Sequence, residues 1–346
     1  MDNRVTLREV AQRAGVAIST ASRALDPATQ TMVLPETIER VLFAARALGY
    51  QPNSLARALK TNKSFAIGML LPDLMNPFFP PIVRGIEDTL NHNGYNLLLG
   101  NTDDDLAREA SQLESMLGRR VDGLILATAQ MHDPTIEGLV DAGIHVVLVN
   151  RFTDNPGLSS VTCDDHLGVS LAIAHLVGLG HRQIAHIAGP RNTSTGLVRQ
   201  ESFKFWLGEA GIQQAPSLIE PAATFSVEHG AQAFAALISR TKDVTAVFAA
   251  NDLIAIGCYQ GAAEVGLQIG VDMSVVGYND IPFASNLGPP LTTVRLPSYE
   301  MGVRAAEEVL AGINGTSNGP SRILLQPSMV VRKSTTPVSR RSVVSD

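Results

Sequence analysis

Residues Val5 to Leu25 read VTLREVAQRAGVAISTASRAL. Thr6-Leu7-Arg8-Glu9 has the spacing of a capping box, in which the Thr6 hydroxyl accepts from the amide of Glu9 and the Glu9 carboxylate reaches back to the amide of Thr6. A helix is therefore expected from Leu7, with Leu7, Val10, Ala11 and Ala14 as its apolar stripe. Gly15 stands where the chain needs a left-handed residue, so this helix stops after about two turns. Ala17 to Leu25 then form a second short helix with Ala21, Ala24 and Leu25 facing inward and Ile18, Ser19, Ser22 and Arg23 outward. Helices this short need partners, and small residues at Ala11 and Ala21 let the two cross closely, as a helix-turn-helix requires. On this stretch alone an ordinary helical hairpin fits as well.

The flanks favour the first reading. Glu36 to Leu48, behind Pro35, gives a third amphipathic helix (Ile38, Val41, Leu42, Ala45, Leu48) that closes a three-helix core and ends at Gly49. In YQPNSLARALKTNKS, Tyr50 to Ser64, Pro52 breaks the chain and Asn53 can cap a helix over Ser54 to Lys60, whose Leu55, Ala58 and Leu59 stay exposed unless something pairs with them. Residues 1–63 hold nine Lys/Arg against five Asp/Glu, while the whole chain carries a net charge of −6. A basic head on an acidic body suits a polyanionic partner for the head alone.

The pattern VTLREVAQRAGVAISTASRAL, ETIERVLFAARALGY and QPNSLARALKTNKS resembles the DNA-binding headpiece and hinge of the LacI/GalR family of bacterial transcription regulators. The resemblance implies that the second helix enters the major groove with Ile18, Ser19 and Arg23 on base edges. It also implies a DNA-binding set completed by Thr6, Thr20, Ser22, Asn53, Arg57, Leu59 and Lys60. Hinge helices over 53–60 from two subunits would pair, and Leu59 from each would wedge into the minor groove. Three departures from the family pattern stand out. Ala17 replaces a hydroxyl residue that caps the recognition helix, Asp26 replaces a frequent Asn, and the connection Asp26 to Leu34 is roughly two residues longer.

From Phe65 onward short apolar strands (FAIGMLLPD, YNLLLGN, VDGLILAT, HVVLVNR) alternate with amphipathic helices, and after Cys163 the rhythm restarts with QIAHIAG, AVFAAND and MSVVGYND. Such alternation predicts parallel sheets wound right-handedly, in two sets and hence two lobes. The expected fold is thus an all-α helix-turn-helix headpiece followed by an α/β, periplasmic-binding-protein-like effector domain of two doubly wound parallel-sheet lobes. Neither a dinucleotide nor a phosphate-loop fingerprint occurs, and no GxSxG or HExxH, so no catalytic machinery, cofactor site or metal site is read. The two cysteines, Cys163 and Cys258, lie far apart and read as buried thiols.

Open parallel sheets bind ligands beyond their carboxyl edges. Carried over from the family, the effector-binding candidates are Phe78, Phe79, Asn150, Asp164, Thr195, Arg199, Phe225, Asn251, Asn279 and Asp280. Seven of the ten have a plainer reading: Phe78 and Phe79 as core, Asn150 and Asp164 as helix caps, Asn251 and Asp280 as turn residues, Arg199 as solvated. Many relatives have Asp where this chain has Asn279, which widens the choice from simple sugars to other polar metabolites.

The expected layout is a headpiece and hinge over 1–63, an effector and dimerisation domain over 64–340 and a tail over 341–346. Lobe one takes about 64–163 plus 294–326, and lobe two about 164–293 plus 327–340. The expected function is a homodimeric transcription regulator, a repressor by resemblance, with double-stranded operator DNA and a small polar effector as partners. With no signal peptide and no long apolar run it is expected in the cytoplasm, without a membrane partner. The alternative is a cytoplasmic solute-binding protein without DNA function.

Overall fold

The computed structural model describes residues 5–26, 29–50, 63–213 and 215–338. The chain divides into two compact units, Met1–Ser64 and Phe65–Asp346. No helix among the described residues is long and apolar enough to cross a membrane.

In the first unit, α1 spans Leu7–Ala14, α2 Ile18–Leu25 and α3 Pro35–Leu48. The Thr6 amide donates to Glu9 Oε2 at 2.6 Å and the Glu9 amide to Thr6 Oγ1 at 3.4 Å, closing the capping box. The Thr6 amide, and after it the Thr6 hydroxyl, which donates to Glu9 Oε2 at 2.8 Å, hold the Glu9 carboxyl below its ordinary range. Gly15 turns left-handed at φ 64° and lets the Val16 amide reach back to Ala11 O. Val10, Ala11, Ala14, Ala21, Ala24, Val41, Ala44 and Ala45 form the buried core, and the predominance of alanine sets how closely the helices approach. Ala17 is the N-cap of α2 and offers it no side-chain bond. The longer connection after α2 finds its own anchor: Gln30 Nε2 donates to Ala24 O at 2.8 Å, and Gln30–Met32 make a short 3₁₀ turn. The hinge helix expected over 53–60, with Asn53, Arg57, Leu59 and Lys60, lies outside the described residues.

Among the described residues, the second unit holds two six-stranded sheets. The first contains β1 (Ala66–Leu71), β2 (Asn96–Asn101), β3 (Gly123–Leu126), β4 (Val146–Val149), β5 (Ser159–Cys163) and β11 (Arg322–Leu325), in the spatial order β11-β5-β4-β3-β1-β2 and parallel throughout. The second contains β6 (Ile184–Ala188), β7 (Ile219–Pro221), β8 (Ala246–Ala249), β9 (Ser274–Asn279), β10 (Thr292–Arg295) and β12 (Ser328–Val330), in the order β12-β10-β9-β8-β6-β7. Among the described residues, β12 alone runs antiparallel to its neighbour. The central strands are mostly apolar and, apart from Ala66 at the start of β1, buried, as sheets covered by helices on both sides require.

The chain passes between lobes three times, at Asp164, at Leu296–Pro297 and between Leu325 and Ser328. Val294 and Arg295 still pair with Tyr278 and Asn279 of the second sheet, so the middle crossing comes two residues later than the sequence boundary at 294. Ile323–Leu325, by contrast, belong to the first sheet. Helix α4 (Phe79–His92) and helix α11 (Ser298–Ile313) flank the first sheet and cross with Gly302 against the Ile82 carbonyl and Gly85 against the Tyr299 carbonyl, an approach too close for any side chain.

Candidate functional site

In the first unit, Ile18, Ser19 and Arg23 are exposed on α2, Thr20 and Ser22 are half-buried beside them, and Thr6 is exposed at the start of α1. Ala21 and Ala24 occupy the opposite, buried face. Helical spacing thus leaves one polar, singly charged face free, as the sequence reading expects of a groove-reading helix.

In the second unit, the carboxyl ends of the strands face a cleft between the lobes. Its walls are Pro72, Asp73, Asn76, Phe78, Phe79, Asp104, Asn150 and Arg151 from the first lobe and Thr195, Arg199, Thr224, Phe225, Ser226, Asn251 and Asn279 from the second, around a cavity of about 80 Å³. The loops reach across it: the Met131 amide donates to Asn192 O at 2.8 Å and the Phe152 amide to Ser194 Oγ at 3.0 Å.

Several walls are positioned by local structure. Helix α8 (Ser194–Glu209) is capped by Thr193, whose hydroxyl accepts from the Gly196 amide at 3.1 Å, which puts Thr195 in its first turn. Asn251 caps α10 (Asp252–Glu264) with its Oδ1 and directs its Nδ2 to Phe225 O at 3.4 Å. Ser226 caps α9 (Val227–Arg240). Phe78 and Phe79 meet edge to face, with ring centroids 5.3 Å apart.

Two buried guanidiniums dominate the electrostatics. Arg199 donates from Nε to Asp165 Oδ1 at 3.0 Å and from Nη1 to Ala250 O at 2.8 Å, and its guanidinium carbon lies 4.0 Å from the centre of the Tyr278 ring. Burial raises the Asp165 carboxyl above its ordinary range, with Arg199 opposing. Arg151 donates from Nη1 to Thr128 O at 3.1 Å, keeps Nη2 3.8 Å from Asp104 Oδ1, and leaves a buried Nε without a partner. Burial lowers its pKa, with Asp104 opposing. Asn279 has φ 120° and a buried Oδ1 without a partner. Buried polar atoms are normally paired; among the described residues Arg151 Nε and Asn279 Oδ1, from two residues of these walls, are not.

Of the residues nominated from the sequence, Phe78, Phe79, Asn150, Thr195, Arg199, Phe225, Asn251 and Asn279 come together on these walls, whereas Asp164 and Asp280 do not. Asp164 caps helix α7 (Asp165–Gly178) through the Leu167 amide at 2.9 Å, the plainer of its two readings. Asp280 accepts from Arg295 and from Arg332, each at 2.7 Å, and so ties the end of β9 to β10 and to the segment just past β12. Asp73, Asn76, Asp104, Arg151, Thr224 and Ser226 line the cleft and were not nominated. The signal for Arg151 was adjacency to Asn150 at a strand end, and for Asn76 the NPFF turn.

The profile described as "Bacterial regulatory proteins, lacI family" matches residues 6–53, and that described as "Periplasmic binding proteins and sugar binding domain of LacI family" matches residues 64–333. The chain belongs to the LacI family of bacterial transcription regulators. It is 34% identical to the ribose operon repressor of Escherichia coli over 95% of this chain and 99% of that one, and 32% identical to the transcriptional repressor PurR of Haemophilus influenzae over 95% and 98%. Among solved structures, the lac repressor dimer bound to operator and the anti-inducer ONPF superposes with a TM-score of 0.83 at 29% identity, covering 96% of this chain and all of that one. A LacI-family regulator from Enterococcus faecium with bound ribose superposes with a TM-score of 0.69 at 33% identity, covering 79% of this chain and all of that one. This LacI-family protein is accordingly a helix-turn-helix transcriptional repressor with an effector-binding domain, and not an enzyme.

Proposed function

We propose that the protein works in the cytoplasm as a homodimer on operator DNA, and that a sugar or closely related polyhydroxylated metabolite in the interlobe cleft sets its operator affinity. The observation that carries this reading is the composition of the cleft. Phe78 and Phe225 supply ring faces, Asn76, Asn150 and Asn279 supply amide side chains, and Arg151 and Arg199 supply buried guanidiniums. That combination binds hydroxyl-rich rings, whose faces are apolar and whose edges both donate and accept. The lac repressor dimer on its operator and the ribose-bound Enterococcus faecium regulator support the two halves of the proposal separately.

On the DNA side, α2 enters the major groove with Ile18, Ser19 and Arg23 toward base edges, flanked by Thr6, Thr20 and Ser22. The segment with Asn53, Arg57, Leu59 and Lys60 grips the minor groove when two subunits meet. Ligand in the cleft biases the relation of the lobes, and operator and effector affinities are reciprocally coupled. The test is Arg23→Ala on a duplex selected from a random pool: specific binding falls by about 1–3 kcal/mol while binding to random competitor changes far less. Equal loss on both duplexes reduces Arg23 to a phosphate contact.

A further inference from the structure

Outside the walls of the cleft, three side chains able to ligate a metal converge on the rim of the first lobe. His132 stands in the loop that follows β3, Glu137 in the first turn of helix α6 (Pro134–Asp141), and Asp154 in the loop that follows β4. One nitrogen or oxygen from each lies within 4.8 Å of the other two, and His132 Nδ1 is 3.8 Å from Asp154 Oδ2. Among the described residues no other three His, Cys, Asp or Glu side chains gather so closely.

The backbone holds this arrangement. The Asp154 amide donates to Met131 O at 2.9 Å, which sets the two loops side by side. The Asp133 carboxylate accepts from the Gln130 and Ile136 amides, each at 3.2 Å, and so fixes the bend that presents His132. Among the described residues no lysine or arginine pairs with the Glu137 or Asp154 carboxylate. Arg322, which donates to the neighbouring Thr153 carbonyl at 3.2 Å, lies over the Phe152 ring instead. Two carboxylates this near each other repel, and a cation between them removes the repulsion. The exposed His132–Asp154 pair contributes little by itself.

We propose that His132, Glu137 and Asp154 form a site for a divalent ion of the zinc class, and that the ion fastens the rim on which the second lobe closes. Zinc sits about 2.0–2.2 Å from nitrogen and carboxylate ligands, so two ligand atoms of a tetrahedron stand about 3.3–3.6 Å apart. The 3.8 Å between His132 and Asp154 is a small side-chain adjustment away from that spacing. Exposure of His132 and Asp154 gives the ion an entry path and leaves its fourth position to water. One imidazole with two carboxylates suits zinc, cobalt or nickel, whereas calcium and magnesium take all-oxygen shells of higher coordination number. The link to the cleft is short. Met131, beside His132, accepts from the Asp154 amide and gives its own amide to Asn192 O of the second lobe at 2.8 Å. An ion that joins His132 to Asp154 therefore stiffens the first-lobe half of this interlobe bond, whatever the cleft itself binds.

Calorimetric titration of the full chain, stripped with EDTA and dialysed, tests the site with zinc and cobalt chloride set against magnesium and calcium chloride. One equivalent of zinc is expected to bind in the micromolar range, cobalt is expected to follow it, and magnesium and calcium to bind far more weakly. His132→Ala, Glu137→Gln and Asp154→Asn should each weaken zinc binding at least about tenfold, with unchanged unfolding midpoints in EDTA showing that the variants are folded. Hydrogen exchange of the Met131 amide should slow on adding zinc to the parent chain and not to His132→Ala. Absence of micromolar zinc binding, or zinc bound as tightly by all three variants as by the parent, overturns the site. Calcium or magnesium bound as tightly as zinc overturns it as well, since carboxylates alone would then account for the attraction. Zinc bound at the three residues without slower exchange at Met131 overturns the fastening of the rim.

Discussion

Replacing Arg199 by methionine tests how the cleft wall is held. The guanidinium makes a charge-assisted bond to Asp165 at 3.0 Å and another to the Ala250 carbonyl at 2.8 Å, and lies 4.0 Å from the Tyr278 ring centre. Bonds of the first kind contribute about 1.5–3 kcal/mol each and a buried cation over a ring up to about 2. Methionine recovers part of this through its apolar contacts, which brings the expected loss to about 3–5 kcal/mol at pH 8, the range for removing one partner of a buried ion pair. Most of that loss comes from the Asp165 carboxylate left behind. Burial already raises its pKa despite Arg199, and without Arg199 it rises further. An acid whose folded pKa is raised is destabilising when ionised, and the penalty fades as pH falls through the folded pKa. The cost of Arg199→Met, measured by urea unfolding, should therefore shrink from pH 8 to pH 5. The double variant Asp165→Asn/Arg199→Met should recover much of the stability without recovering effector binding. A cost below about 1 kcal/mol at pH 8, or one that grows on acidification, would refute the reasoning.

Three further outcomes are expected. Ala17→Ser supplies the cap that α2 lacks and should raise headpiece stability by about 0.5–1 kcal/mol, read as slower amide exchange in α2; unchanged exchange would contradict the capping argument. Asp252 accepts from the Ile281 amide and the Thr293 hydroxyl, yet burial pushes its carboxyl up to about 7, so its contribution to stability falls by at most about 1.4 kcal/mol per pH unit as pH rises from about 4 through 7; Asp252→Asn should flatten a stability profile between pH 5 and 8, and equal slopes would count against it. Gly302→Ala drives a methyl into the Ile82 carbonyl oxygen and should cost at least about 1–3 kcal/mol, visible as a lower thermal midpoint, because a backbone atom cannot move aside as a side chain would.

How far residues announced their roles depended on how local those roles are. The capping box at Thr6 and Glu9, the left-handed Gly15 and the missing cap at Ala17 involve neighbours within a turn, and all were legible in the sequence. The central strands were legible as apolar runs, but β5, SSVTC, was not, because its Ser and Thr resemble loop composition while neighbouring strands bury them. Asp280 drew a ligand role from the family resemblance; its partners, Arg295 in β10 and Arg332 just past β12, meet it only in the fold. Arg151 failed in the opposite sense: an arginine after a strand reads as solvated until the bond to Thr128 and its depth in the cleft are seen. In each of these cases the deciding contact is long-range, and no window of sequence contains it.

The central claim is that one cleft governs DNA binding from a distance, and thermodynamic reciprocity tests it most directly. The dissociation constant for a selected operator duplex is measured by fluorescence anisotropy with and without saturating effector, and that for the effector by calorimetry with and without operator. The account predicts that both change by the same factor, at least about fivefold, and that Arg199→Met removes the effector's influence on operator binding. Effector affinity that is identical on free and operator-bound protein would contradict it.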